Sequence, residues 1–173
     1  MDKTNNRLIQ ASEHLLYEYR MMIWTAKELH KAIPKEGFAH NAILESFAIH
    51  VRNLIEFFFN DTQKYNDDVL ADHYFDHEKN EWKNIRPIQS PLLKSTIKQA
   101  HKQIAHLTYS RNNFSDDQKL WRFVNIVDEI ENVMKNYFLK NVSKKSYIKS
   151  GVMNLNLLMN SKIFFSYLVW RLI

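Results

Sequence analysis

Cysteine is absent from this chain, which excludes a disulfide framework, a thiolate nucleophile and any cysteine-containing zinc site. Glycine occurs twice and proline three times in 173 residues. Tight turns and helix breakers are therefore scarce, and long helices with few connections are expected. Acidic residues are missing after Glu131, where Lys135, Lys140, Lys144, Lys145, Lys149, Lys162 and Arg171 are found. The net charge of +5 thus belongs to the C-terminal segment, and the rest of the chain is slightly acidic. Such a basic segment is attracted to nucleic acid or to an anionic membrane surface. Lysine outnumbers arginine 17 to 7, a bias that also follows from AT-rich coding and is not the one bidentate phosphate recognition favours. No uninterrupted apolar run reaches the roughly 20 residues of a spanning helix, because Asn154, Asn156, Asn160, Ser161 and Lys162 break the stretch from Gly151 to Ile173. The N-terminal residues are polar and lead into a helical pattern rather than a signal core, so a cytoplasmic protein is expected.

The apolar content, 45% of residues, suits one well-buried domain. The spacing predicts helix one from about Thr4 to Ala32, with Leu8, Ala11, Leu15, Tyr19, Met22, Ala26 and Leu29 on one face and Pro34 ending it. Helix two follows Gly37 and runs from Ala39 to Phe59, hydrophobic nearly all round and hence central. Residues 60–90 break the pattern but hold Tyr74, Phe75 and Trp82, which predicts an ordered cover over one face of a bundle. Ser90 and Pro91 open helix three as N-cap and first residue, and its apolar stripe is Leu93, Ile97, Ala100, Ile104 and Leu107. Ser115, Asp116 and Asp117 predict the start of helix four, with Leu120, Phe123, Val124, Val127, Ile130, Met134, Tyr137 and Phe138 facing inward. The resulting expectation is an all-α fold. Four core helices make a helical-bundle domain over 1–140, and a basic and apolar C-terminal helical segment, 141–173, packs on it.

Eight histidines raise the question of metal binding. His101 and His106 are five apart, about 140° around an α-helix, and do not share a face. His73 and His77 are four apart in a segment with no helical pattern. No metal site and no cofactor is therefore expected. His106 lies beside the stripe of helix three, with Gln99, Lys102, Gln103 and Tyr109 as polar neighbours. Antiparallel packing of helices two and three would bring His50, Arg52 and Asn53 toward that flank. Arg52 lies between Glu45 and Glu56 on one stripe, which predicts a structural ion pair, and Arg111 is placed as a helix C-terminal cation. Tyr109 is read as a helix-packing side chain or as a base-stacking one.

Three stretches carry a resemblance. Lys102-Gln-Ile-Ala-His106-Leu-Thr-Tyr-Ser-Arg111, Glu45-Ser-Phe-Ala-Ile-His-Val-Arg-Asn-Leu-Ile-Glu-Phe-Phe58 and Asp67-Asp-Val-Leu-Ala-Asp72 together resemble HEPN-like all-α domains of bacterial proteins. The resemblance spans roughly Ala39 to Phe138. It implies an all-α, often dimeric domain, and for many members a metal-independent RNase of a toxin–antitoxin or phage-defence system. The family signature is an arginine followed after four to six residues by a histidine. His106 matches the histidine, whereas His101, Ala100 and Gln99 stand where the arginine would be. The resemblance therefore implies His106 as the catalytic histidine, with Arg52 or Arg111 supplying the cation and Lys102, Tyr109 and Asn53 contacting RNA. Implied partners are RNA, a second copy in a homodimer, and an antitoxin or nucleotidyltransferase-like protein. The alternative is a non-catalytic homodimeric bundle acting as an interaction or adaptor protein.

Overall fold

The computed structural model describes residues 3–31, 37–105, 109, 115 and 120–142. Among these there is no strand, and the fold is an all-α helical bundle. Helix α1 spans Lys3–Lys31, α2 Phe38–Phe59, α3 Glu81–Ile85, α4 Pro91–Gln99 and α5 Phe123–Asn132. Helix α4 continues as a π-helical turn over Ala100–Ala105, and α5 continues through a π-helical stretch over Val133–Leu139 into a last α-turn, Lys140–Val142. No helix among the described residues is long and apolar enough to cross a membrane.

Helices α1 and α2 form the main pair. Leu15, Tyr19, Met22 and Leu29 are buried at the spacing of one helical stripe, and Leu8 and Ala26 pack against its ends. Two hydroxyls share this buried face without penalty because each bonds a carbonyl of its own helix: Ser12 donates to Leu8 O at 2.9 Å and Thr25 to Met21 O at 2.6 Å. Gly37 precedes α2 with φ +102°, a backbone region that an L side chain rarely adopts. Helix α2 buries Phe47, Ala48, His50, Val51, Leu54, Ile55, Phe57 and Phe58, so it is touched on several sides as its composition demands.

The connection after α2 is an ordered cover. A 3₁₀ turn, Ala71–Tyr74, and the short α3 deliver Leu70, Ala71, Tyr74, Phe75 and Trp82 into the core. Phe58 O, an orphan carbonyl of the last turn of α2, accepts from Trp82 Nε1 at 2.8 Å and Arg86 Nη1 at 3.2 Å. Arg86 also pairs with Asp61 at 2.6 Å, and Lys83 with the same carboxylate at 3.3 Å. Burial alone would raise the Asp61 pKa, but these two cations outweigh it and hold the carboxyl below its ordinary value.

Ser90 caps α4: its hydroxyl accepts from Leu93 N at 3.1 Å and donates to Glu129 of α5. Ser90→Ala is expected to lower stability by about 1 kcal/mol, read as an earlier urea midpoint at unchanged slope. Thr96 is buried beside the predicted stripe and bonds Leu92 O at 2.8 Å.

The fourth predicted helix starts later than its cap residues suggest. Leu120 is 63% exposed and non-helical, Arg122 has φ −87° and ψ 65°, and the helix begins at Phe123. Aromatic packing accounts for the delay. Trp121 is buried edge-on against Phe47 at 6.0 Å, and Phe123 meets the same ring at 5.2 Å, so the residues before α5 are drawn down onto α2 in a non-helical path. Val124 is exposed rather than inward, while Ile126, Ile130, Met134 and Phe138 fill the core. Leu107, the break around 112–117 apart from exposed Ser115, and 143–173, which is nearly all of the basic C-terminal segment, lie outside the described residues.

Candidate functional site

Among the described residues four polar side chains are buried: Ser12, Thr25, His50 and Thr96. The three hydroxyls bond their own helices, whereas His50 couples to a carboxylate on another helix. Its Nδ1 lies 2.7 Å from Glu18 Oε2 of α1. Asn53, one turn further along α2, donates from Nδ2 to the same oxygen at 3.1 Å, and the Tyr17 ring meets the imidazole edge-on at 5.6 Å. Arg52 completes the group, with Nη2 3.5 Å from Asn53 Oδ1.

Helical geometry splits this seam. Residues three and four apart share a face, so His50 and Asn53 look toward α1 while Arg52 and Glu56 look along a neighbouring stripe. Glu56 Oε1 lies 3.4 Å from His101 Nε2, on the π-helical turn that extends α4. A carboxylate–imidazole pair therefore stands on each side of Arg52 and Asn53. His50 and Asn53 are thus turned to α1, not to the flank of the third predicted helix, because Glu18 is the acceptor that satisfies both.

No ion pair joins Arg52 to Glu45 or Glu56 among the described residues, contrary to the stripe pattern. Its Nε is buried without a hydrogen-bond partner. Glu56 has taken His101 instead. Lys102 is exposed beside that histidine, and Tyr109 is 96% exposed, so it is not a packing side chain. His106 and Arg111 lie outside the described residues. The structure thus gathers Arg52, Asn53, His50, Glu18, Glu56 and His101 on one seam, with Lys102 at its edge. Sequence spacing missed Glu18 and His50 as a pair because 32 residues separate them.

The other histidine cluster is in the cover. His73 Nδ1 accepts from Leu70 N at 3.4 Å within the 3₁₀ turn, and His77 pairs through Nδ1 with Asp72. Burial lowers the His73 pKa despite Asp72, with His77 adding to the fall, while the hydrogen bond and charge of Asp72 raise that of His77. Among the described residues no three histidine or carboxylate side chains converge as a metal-ligand set.

Fold and site together define the class as an all-α bundle with a polar, imidazole-flanked seam between α1, α2 and the extension of α4. No protein-family model matches the chain, and no curated protein or solved structure is significantly similar to it.

Proposed function

We propose that the chain is a HEPN-like helical protein that binds RNA and cleaves it without a metal, with His106 as the proton acceptor and Arg52 as the seam's cation. The observation that carries this reading is the state of Arg52: its guanidinium is not neutralised by the flanking glutamates, its Nε is unpartnered, and Asn53 holds it at the seam. Such a group suits a phosphodiester, whose charge grows as the phosphorus becomes five-coordinate. The imidazole of His106 takes the proton of a ribose 2′-hydroxyl while the O2′–P bond forms. The P–O5′ bond breaks, the departing oxygen takes up a proton, and the products are a 2′,3′-cyclic phosphate and a 5′-hydroxyl. Lys102 and Arg111 add charge toward the backbone, and exposed Tyr109 offers a face on which a base can stack. An antitoxin or nucleotidyltransferase-like protein is the matching partner.

The test is direct. With the full chain in the presence of EDTA, single-stranded RNA is expected to be cut to cyclic-phosphate ends. His106→Ala should slow cutting about 10²–10⁴-fold and Arg52→Ala about 10²–10³-fold, while substrate lacking the 2′-hydroxyl stays intact. Intact RNA with wild type, together with no retention of RNA in a mobility shift, removes the reading.

A second reading, the non-catalytic homodimeric adaptor, is favoured by one observation. Tyr17 and Trp24, seven apart on α1, are 54% and 51% exposed, and Ile49 of α2 is 45% exposed. Sedimentation as a dimer with no RNA binding would select it.

A further inference from the structure

We propose that His101 is a second catalytic histidine, the general acid that protonates the departing 5′-oxygen, with Glu56 as its positioning residue; this rests on the RNA-cleaving reading above. Transesterification at phosphorus requires two proton movements. The attacking 2′-oxygen and the leaving 5′-oxygen lie roughly in line on opposite sides of the phosphorus, so a base placed to take the first proton is badly placed to deliver the second. A separate proton donor therefore speeds the step.

Three observations point to His101. Its Nε2 lies 3.4 Å from Glu56 Oε1, and each of the two side chains is 35% exposed, which fixes the ring while leaving the pair within reach of a bound strand. Glu56 stands one turn beyond Arg52 on the same face of α2, so imidazole, orienting carboxylate and guanidinium belong to one seam. His101 is also the second residue of the π-helical turn Ala100–Ala105. Such turns are uncommon inside helices and frequent at functional sites, because the wider i→i+5 turn re-aims side chains that an α-helix would point elsewhere.

In the step as a whole, the 2′-hydroxyl proton passes to His106 and the O2′–P bond forms. The P–O5′ bond breaks with its electron pair going to the 5′-oxygen, and the imidazolium of His101 gives that oxygen its proton. The carboxylate of Glu56 balances the imidazolium before transfer. Proton exchange with water then restores both rings, and no other reactant is consumed.

The experiment uses the full chain and two oligonucleotides with a single ribonucleotide, one with the natural 5′-oxygen leaving group and one with a bridging 5′-sulfur, which departs without protonation. His101→Gln is expected to slow the oxygen substrate about 10²–10⁴-fold and the sulfur substrate less than about tenfold. Glu56→Gln should show the same selectivity with a smaller loss. Thermal melting of both variants reports folding, and Glu56→Gln carries the test if His101→Gln melts early. Equal losses on both substrates, or none on either, overturn the assignment while leaving the RNA-cleaving reading in place. Failure of the wild type to cut either substrate removes that reading, and this one with it.

Discussion

Phe138→Ala is expected to cost about 3–5 kcal/mol of stability, the largest single loss among the side chains described. The ring lies within 6 Å, centroid to centroid, of Phe57, Phe58, Tyr74, Phe75 and Trp82, five aromatics drawn from α2, the cover and α3. It is fully buried. Truncation forfeits the transfer free energy of the ring and leaves a cavity whose walls belong to separate elements, so no one of them can move to fill it. A domain of this size has a net stability of roughly 5–15 kcal/mol, so the variant gives up a large share of it. Urea unfolding should show a much earlier midpoint, and the melting temperature should fall by roughly 6–20 °C. Phe38, 96% exposed, supplies the control. Its replacement by alanine should change stability by no more than about 0.5 kcal/mol. Equal effects at the two sites would contradict the packing described.

The second large effect concerns alkaline pH and Tyr74. Burial pushes its phenol from 10.0 up to about 12, against a small opposing contribution from the Ser12 hydroxyl. The hydroxyl donates to Leu8 O at 3.0 Å, a bond that exists only while the proton is present. Below pH 10 the phenol is protonated in folded and unfolded chains alike, and its contribution is complete. Between pH 10 and 12 the unfolded chain releases the proton and the folded chain keeps it, so stability falls as pH rises. A shift of two units corresponds to about 2–3 kcal/mol. Urea midpoints of wild type and Tyr74→Phe, compared at pH 9 and pH 12, should diverge by this amount: the variant begins lower, having lost one hydrogen bond, and declines less. Parallel decline would mean that another group controls alkaline unfolding.

Much of the bundle was legible because helical periodicity reports burial directly. The stripe of α1, the all-round hydrophobicity of α2, the aromatics of the cover and the Ser90 cap each depend on residues close in sequence, where pattern and structure coincide. The π-helical turns were not legible. Their cause is a change in hydrogen-bond partner from i−4 to i−5 with no marker residue, and the change displaces the side chains of His101 and Lys102 relative to any α-helical wheel. Trp121 could not be foreseen as the buried residue in place of Leu120, since that choice depends on Phe47, 74 positions away. The candidate site was half legible for the same reason. Arg52 and Asn53 stood out on α2, but what they meet is decided by Glu18 on a different helix.

The bond from Tyr74 to Leu8 also bears on the order in which the chain can be made. It spans 66 residues, so the first turns of α1 gain their covering partner only after synthesis has passed the 3₁₀ turn and α2 is already complete. Until then Leu8 and Ser12 face water or a chaperone, and the α1–α2 hairpin must persist on its own packing. The N-terminal helix is therefore the first to be built and among the last to be enclosed.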